Sequence, residues 1–258
     1  MNEITATKMN EEAGNAGSPD LNPSAATGRK CIGGSMMDAA CRNSISGSMN
    51  APVRRRKGIM GGTFDPIHNG HLKLAACALD QFRLDEVLFL PSGNPPHKQG
   101  RSDGATNEQR LEMVRLAIAG YPRFVLDEEE MHRCGLTYTK DTLILLNEQE
   151  PDTDFYFIIG ADSLMAFDSW YHPEIICKYC HLIVAVRDGV NISRIRRKME
   201  ELGERYGASV FLLKSPEIAV SSTNLRQMIR KRQRIGHLVP QAVADYIETH
   251  DIYGGIRI

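Results

Sequence analysis

Six short apolar runs, separated by longer helical segments, constrain the fold of this chain more than any other feature. The runs read GIMGG, EVLFLP, RFVLD, DFYFIIG, HLIVAV and SVFLLK. They are rich in Val, Ile, Phe and Leu and lack regular polar alternation, as expected for strands buried on both faces of a parallel sheet. The alternation predicts an α/β fold: a Rossmann-like, doubly wound, mostly parallel sheet with helices on both faces.

The segments between the runs carry helix signals. One helix is predicted to begin after Gly70, and a second begins at Thr106, whose spacing to Gln109 is that of a capping box. Further helices are predicted over residues 139–149, 191–206, 222–233 and 240–249.

The first part of the chain has a different composition. Residues 1–54 are rich in Gly, Ser, Asn, Ala and Pro, with no periodicity that could bury one face. They are predicted to be a disordered, low-complexity extension, followed by a single domain over 55–258. With 258 residues and 42% hydrophobic content, the chain is long enough for one sizeable core.

Bulk charge and composition exclude several classes of protein. Lys and Arg number 31 against 32 Asp and Glu, so no overall field attracts nucleic acid, and the basic runs RIRRK and RKRQR are predicted to be solvated helix faces. No run approaches the roughly 18 apolar residues of a membrane span. The N-terminus lacks the apolar core of a secretory peptide, so we expect a cytoplasmic protein without membrane or nucleic-acid partners; a homo-oligomer stays open.

The stretch GGTFDPIHNGHL, residues 61–72, follows the first predicted strand and leads into a helix. Gly61 and Gly62 allow a ligand to approach the backbone closely, and helix N-termini favour anions. His68 and His71, three residues apart, project from the same side of the first turn and can donate hydrogen bonds to phosphate oxygens. A histidine pair alone also arises by chance or in zinc sites, but the Glu of a His-Glu-x-x-His helix is missing.

His68-Asn69-Gly70-His71 resembles the H-x-G-H signature of the nucleotidylyltransferase superfamily, and the longer string resembles that of bacterial nicotinate-nucleotide adenylyltransferases. Four further stretches match that family in order: PSGNPPHK (91–98), YTKDTL (138–143), FIIGADSL…W (157–170) and VSSTNLR (220–226). The resemblance covers residues 57–254.

The resemblance implies an activity. It is the transfer of the adenylyl group of ATP to nicotinate mononucleotide, giving nicotinate adenine dinucleotide and pyrophosphate in NAD biosynthesis. It further implies Mg²⁺ held mainly through the ATP phosphates, with no metal ligand supplied by protein side chains.

The resemblance also implies roles for particular residues. His68, His71 and Arg226 are predicted to be catalytic, stabilising charge at the α-phosphate. ATP and its phosphates are predicted to contact Gly61, Gly62, Thr63, Phe64, His71, Lys98, Asp162, Ser221, Ser222, Thr223 and Arg226. Nicotinate mononucleotide is predicted to contact His97, Tyr138, Thr139, Trp170 and Tyr171.

Simpler interpretations of several residues stay open. Ser221 and Ser222 are good helix N-caps, Asp162 could cap a helix instead of binding ribose, and Trp170 could be a core residue. Nicotinamide mononucleotide and pantetheine phosphate are alternative acceptors, and a non-catalytic nucleotide- or RNA-binding module is an alternative function.

One further string, Cys177-Lys178-Tyr179-Cys180-His181, matches the C-x-x-C-H haem-attachment pattern. Haem attachment requires export, and the string leads directly into the apolar run HLIVAV. We therefore predict neither haem nor structural metal here, and a redox role stays open.

Overall fold

Six strands form one parallel sheet in the computed structural model, which describes residues 54–94, 104–186, 191–215 and 220–254. The strands are β1 (Arg55–Gly62), β2 (Glu86–Pro91), β3 (Phe124–Leu126), β4 (Thr153–Gly160), β5 (His181–Val186) and β6 (Val210–Lys214). Their order is β3-β2-β1-β4-β5-β6, and every adjacent pair is parallel. The predicted doubly wound α/β fold is confirmed.

Helices lie in the connections between these strands and after the last strand, β6. They are α1 (Asn69–Gln81), α2 (Asn107–Ile118), α3 (Glu129–His132), α4 (Thr139–Gln149), α5 (Ala161–Met165), α6 (Pro173–Tyr179), α7 (Ile192–Tyr206), α8 (Ser222–Arg230) and α9 (Gln241–Thr249). The predicted capping box is confirmed: the Thr106 hydroxyl accepts from the Gln109 amide at 3.2 Å, and the Gln109 side chain accepts from the Thr106 amide at 2.9 Å.

Two predicted helix features differ from the structure. The helix predicted over 222–233 ends at Arg230, because Arg232 adopts a left-handed backbone with φ 54° that cannot continue a right-handed helix. The short helices α3, α5 and α6 were not predicted, because four to seven residues are too few to display a helical period.

The core lies in two layers, one on each side of the sheet. Successive strand residues point to opposite faces, so Ile59 packs with α4 to α7 while its neighbour Met60 packs with α1, α2, α8 and α9. Both residues are essentially fully buried. The absence of polar alternation in the apolar runs therefore reflects helices covering both faces, as predicted.

The chain reverses direction across the sheet between β1 and β4. Strands β2 and β3 lie on one side of β1, and strands β4, β5 and β6 lie in that order on its other side. In open α/β sheets a ligand crevice forms at such a switch point, beyond the carboxyl ends of the strands. Gly62 ends β1 and Gly160 ends β4, so the segments that follow them face this crevice.

Within the described residues, none of the helices is both long and apolar enough to cross a bilayer. The extension predicted for residues 1–54 falls outside the described residues, Arg54 apart, and stays a prediction, as does the cytoplasmic location.

Candidate active site at the switch point

A cleft of about 1630 Å³ opens at the carboxyl ends of β1 and β4. Pockets for drug-sized ligands measure about 300–1,000 Å³, so the cleft has room for more than one nucleotide. Every predicted site residue within the described part of the chain lines it: Gly61, Gly62, Thr63, Phe64, His68, His71, Tyr138, Thr139, Asp162, Trp170, Tyr171, Ser221, Ser222, Thr223 and Arg226. His97 and Lys98 lie outside the described residues.

The two histidines stand together at the start of α1. His68 is the N-cap residue, in extended conformation, and its ring stacks on that of His71 with centroids 3.7 Å apart. The His68 amide donates to Nδ1 of His71 at 3.3 Å. Because Nδ1 accepts, the proton of a neutral His71 ring lies on Nε2, which is the tautomer able to donate to a phosphate oxygen.

Gly70 explains why a glycine separates the histidines. A Cβ at this position would lie 2.8 Å from Nδ1 of His68 and 3.1 Å from a methyl group of Val220. Any side chain here would displace His68 from its stacked position or push away the segment before α8. The glycine therefore permits the close approach of the two helix starts.

The glycine pair at the end of β1 lines the cleft in ordinary backbone conformation. Among described glycines a positive φ occurs at Gly135 and Gly207, and not at Gly61 or Gly62. A Cβ on Gly61 would instead lie 2.9 Å from the ring of Phe157. The positive φ of this turn belongs to Phe64, at 48°, whose side chain is buried, so only its main chain can contact a ligand.

The start of α8 is joined directly to the turn before α1. The Ser222 hydroxyl donates to the Pro66 carbonyl at 2.9 Å, and Nη1 of Arg226 donates to the Asp65 carbonyl at 2.6 Å. Arg226 is 5% exposed, and its Nη2 donates to the Thr223 hydroxyl at 3.4 Å. Two helix N-termini and one guanidinium therefore meet at the same end of the cleft.

The two serine hydroxyls have structural partners. Ser221 is the N-cap of α8, and its hydroxyl accepts from the Asn224 amide at 3.2 Å, which matches the simpler interpretation of this residue. Ser222 uses its hydroxyl on Pro66, as described above. What the helix start offers an anion is therefore chiefly its remaining main-chain N–H groups and the positive end of its dipole.

The opposite end of the cleft is aromatic. Trp170 is half-buried, with its ring edge-on to Phe157 at 6.0 Å and tilted over Phe167 at 5.3 Å. Tyr138 and Tyr171 pair with centroids 4.4 Å apart, and Tyr171 is 51% exposed. An aromatic surface of this kind, apolar and partly open, suits a flat ring ligand.

Asp162 and Thr139 complete the cleft from two further helix starts. Asp162 is exposed in the first turn of α5, whose N-cap is Gly160, so the capping interpretation of Asp162 is wrong. Thr139 is the first residue of α4, with Tyr138 as N-cap, and its main-chain N–H is one of the groups that a helix start leaves without an intrahelical partner.

Comparisons with known proteins match this arrangement. The cytidylyltransferase-like family matches residues 59–228. The chain is 44% identical over 199 residues to a probable nicotinate-nucleotide adenylyltransferase of Lachnoclostridium phytofermentans, covering 77% of this chain and 99% of that protein. It is 43% identical over 202 residues to a protein of the same name from Synechococcus, covering 78% and 96%. This chain belongs to the nicotinate-nucleotide adenylyltransferase family.

Solved structures agree on the fold. The nicotinic acid mononucleotide adenylyltransferase of Plasmodium falciparum, complexed with NaAD, superimposes with a TM-score of 0.64 at 22% identity. The match covers 77% of this chain and 97% of that one. A second structure of the Plasmodium protein, complexed with APC, gives a TM-score of 0.62 over the same shares.

One residue of this family member that the sequence interpretation missed is Arg110. Its guanidinium is 5% exposed and donates to the carbonyls of Thr63 at 2.7 Å and Ser92 at 2.9 Å, bracing the ends of β1 and β2. Burial lowers the pKa of Arg110, while nearby Asp65 opposes that shift. The sequence does indicate that Arg110 is buried, because Arg110 shares the apolar face of α2 with Met113 and Val114.

The two cysteines of the C-x-x-C-H string lie on α6 and at its C-terminal end. Cys177 lies on α6, and burial raises the pKa of its thiol to about 11. Cys180 is buried, with its Sγ against the Ile176 carbonyl at 3.4 Å, and burial raises its pKa also. In the described ranges no group of three His, Cys, Asp or Glu side chains could hold a metal ion.

The basic run in α7 is only partly a solvated face. Arg194, Arg196 and Arg197 are exposed, as predicted. Lys198 is instead buried, and its amino group bonds to Asp168 and, at 3.0 Å, to Glu201. The run therefore contributes a partly buried ion pair between Lys198 and Asp168, which lies two residues before Trp170, and the charge pattern alone did not indicate it.

Proposed function

We propose that this chain transfers the adenylyl group of ATP to nicotinate mononucleotide, yielding nicotinate adenine dinucleotide and pyrophosphate. An oxygen of the 5′-phosphate of the mononucleotide attacks the α-phosphorus of ATP. The bond between that phosphorus and the oxygen bridging to the β-phosphate breaks, and pyrophosphate leaves with the electron pair. A phosphate is already a competent nucleophile at neutral pH, so no protein nucleophile is required.

The observation that carries this proposal is the convergence of two helix starts on one cleft. Negative charge spread over phosphate oxygens is stabilised best by donors fixed before the reaction. His68 and His71 are held by mutual stacking and a main-chain bond, and Arg226 is held by the Asp65 carbonyl. In this proposal these three side chains and the neighbouring N–H groups align the triphosphate and offset its charge.

The remaining cleft residues bind the two substrates at opposite ends. Asp162 accepts hydrogen bonds from ribose hydroxyls, as acidic residues do in related folds. Trp170 stacks on the pyridine ring, and main-chain N–H groups at Thr139 and Tyr171 hold the nicotinate carboxylate. His97 and Lys98, which lie outside the described residues, are assigned to the phosphates of the mononucleotide and ATP respectively, by family resemblance.

Mg²⁺ accompanies ATP in this scheme. The carboxylates lining the cleft include Glu130, Asp162 and Glu174, and no three of the described His, Cys, Asp and Glu side chains form a metal-binding group. The donor set therefore fits an ion held mainly by phosphate oxygens and water. Bound there, Mg²⁺ would neutralise charge on the leaving pyrophosphate.

Pyrophosphate release tests the proposal. The purified full chain is incubated with ATP and Mg²⁺ alone, and then with nicotinate mononucleotide, nicotinamide mononucleotide or pantetheine phosphate. We expect rapid release with nicotinate mononucleotide and slower release with the others. A preference for pantetheine phosphate would reassign the acceptor. ATP binding without turnover under every condition would exclude an enzymatic function.

A further inference from the structure

Through Tyr253, the segment after α9 returns to the end of the cleft formed by the starts of α1 and α8. The proposed function assigns this end to the phosphates, and we call it the phosphate end. This side chain is 8% exposed, and its hydroxyl donates to Oδ1 of Asp65 at 2.6 Å. The same carboxylate oxygen accepts from the Ala105 amide at 3.0 Å. Tyr253 therefore contacts the turn between Gly62 and His68 through Asp65, which precedes it by 188 positions in the sequence.

Asp65 in turn contacts Arg226 in two ways. Its main-chain carbonyl accepts from Nη1 of Arg226 at 2.6 Å, while its carboxylate Oδ2 lies 3.7 Å from the same nitrogen. A direct guanidinium–carboxylate bond measures about 2.7–2.9 Å, so this ion pair is held open. The bonds from Tyr253 and Ala105 to the other carboxylate oxygen account for that separation.

Gly104 restrains the carboxylate from another side. A Cβ on Gly104 would lie 2.6 Å from Oδ2 of Asp65, so the carboxylate rests directly against the backbone at this position.

The Tyr253 hydroxyl, which donates to Asp65, stays protonated. Burial and the neighbouring Asp65 carboxylate raise the pKa of Tyr253, so its hydroxyl keeps its proton throughout the neutral range.

We propose that Tyr253 is a positioning residue for adenylyl transfer: by holding the Asp65 carboxylate away from Arg226, it keeps the guanidinium oriented toward the phosphates. This inference rests on the proposed function. Without the Tyr253 hydroxyl, only the Ala105 amide holds Oδ1, so the Asp65 carboxylate can turn toward a close, bidentate pair with Arg226, which would draw the guanidinium from the cleft. Because Arg226 is assigned to charge that develops during transfer, the loss should appear in kcat.

Tyr253→Phe tests the proposal, since it removes one hydroxyl and keeps the buried ring. We expect kcat to fall roughly tenfold, as a hydrogen bond to a charged group is lost, with the KM values for both substrates within about twofold of wild type. The matched control is Tyr246→Phe, the same change on α9, where the ring lies against His250. Its kcat should equal that of the wild type.

A second measurement separates positioning from general loosening of the fold. In an Arg226→Lys background the forked donor is gone, so adding Tyr253→Phe should change kcat by less than about twofold. An undiminished tenfold loss in that background would overturn the proposal, and so would wild-type kcat in Tyr253→Phe alone. If Tyr253→Phe cannot be purified folded, Gly104→Ala displaces the same carboxylate; a reduced kcat with unchanged KM supports the proposal, and wild-type kcat refutes it.

Wild-type turnover separates this proposal from the proposed function. If the unmodified chain releases no pyrophosphate with ATP and nicotinate mononucleotide, the reaction assignment fails. If the wild type is active and Tyr253→Phe matches it, only the role of Tyr253 fails.

Discussion

The two ends of the cleft are built by different interactions. At the phosphate end, partly buried hydrogen bonds join segments far apart in sequence: Ser222 to Pro66, Arg226 to Asp65, and Tyr253 to Asp65. At the aromatic end, which the proposed function assigns to the pyridine ring and which we call the pyridine end, ring contacts predominate, and Tyr171 is 51% exposed.

The difference follows from what each end has to do. Donors that stabilise a transition state contribute most when they are already in place, because reorganisation during the reaction costs free energy. An aromatic ring that recognises a flat ligand needs only a face and tolerates small movements. We therefore expect changes at the phosphate end to affect kcat and changes at the pyridine end to affect KM.

The largest expected effect is that of His71→Ala. Removing one preorganised donor costs about 10²–10³ in kcat, while the KM for nicotinate mononucleotide should stay close to that of the wild type. Steady-state pyrophosphate release measures both values, and His250→Ala, at an exposed position after α9, is the control. Near-normal turnover in a folded His71→Ala protein would show that the phosphate end does not take part in catalysis.

Trp170→Ala examines the other end. Stacking of a base on an aromatic side chain is worth about 1–3 kcal/mol, so the KM for nicotinate mononucleotide should rise about 5–150-fold. The KM for ATP should change little, because ATP is assigned to the opposite end. Equal increases in both KM values would show that the ends are not separate in function.

Much of this arrangement could be predicted from sequence, and the reasons are local. The alternation of apolar runs and helices indicated a doubly wound, mostly parallel sheet without giving its strand order, and the Thr106 to Gln109 spacing located a helix start to the residue. The motif residues collected at one cleft because the carboxyl ends of parallel strands lie on one edge of a sheet.

The long-range bonds could not be predicted in this way. Nothing near Tyr253 in the sequence indicates that its hydroxyl meets Asp65, and the Ser222 to Pro66 bond joins residues 156 positions apart. Such pairings depend on tertiary packing. Arg110 is intermediate: its place on an apolar helix face marks it as buried, but only the structure shows which carbonyls it holds.

Ser222→Ala compares the two ends at the level of single hydrogen bonds. The Ser222 hydroxyl joins the start of α8 to the turn before α1 by donating to the Pro66 carbonyl. The hydroxyl of Ser169, near Trp170, instead donates to the Ala166 carbonyl three residues earlier, at 2.6 Å in an exposed position. We expect Ser222→Ala to lower the free energy of unfolding by about 1 kcal/mol, and Ser169→Ala to lower it by less. Urea denaturation of both variants measures this, and an equal or larger loss in Ser169→Ala would contradict the comparison.

The smallest expected effect concerns the thiols of α6, behind the pyridine end. Because burial raises the pKa of Cys177 to about 11, only a very small fraction is thiolate at pH 8, and that fraction grows as the pH rises toward 11. Exposed Cys134 should therefore be alkylated by iodoacetamide well before Cys177 at pH 8, with catalytic activity unchanged while Cys177 stays unmodified. Peptide mass spectrometry over a time course follows each site separately. Rapid labelling of Cys177 would mean that α6 opens readily, and the pyridine end would then be more mobile than its ring contacts indicate.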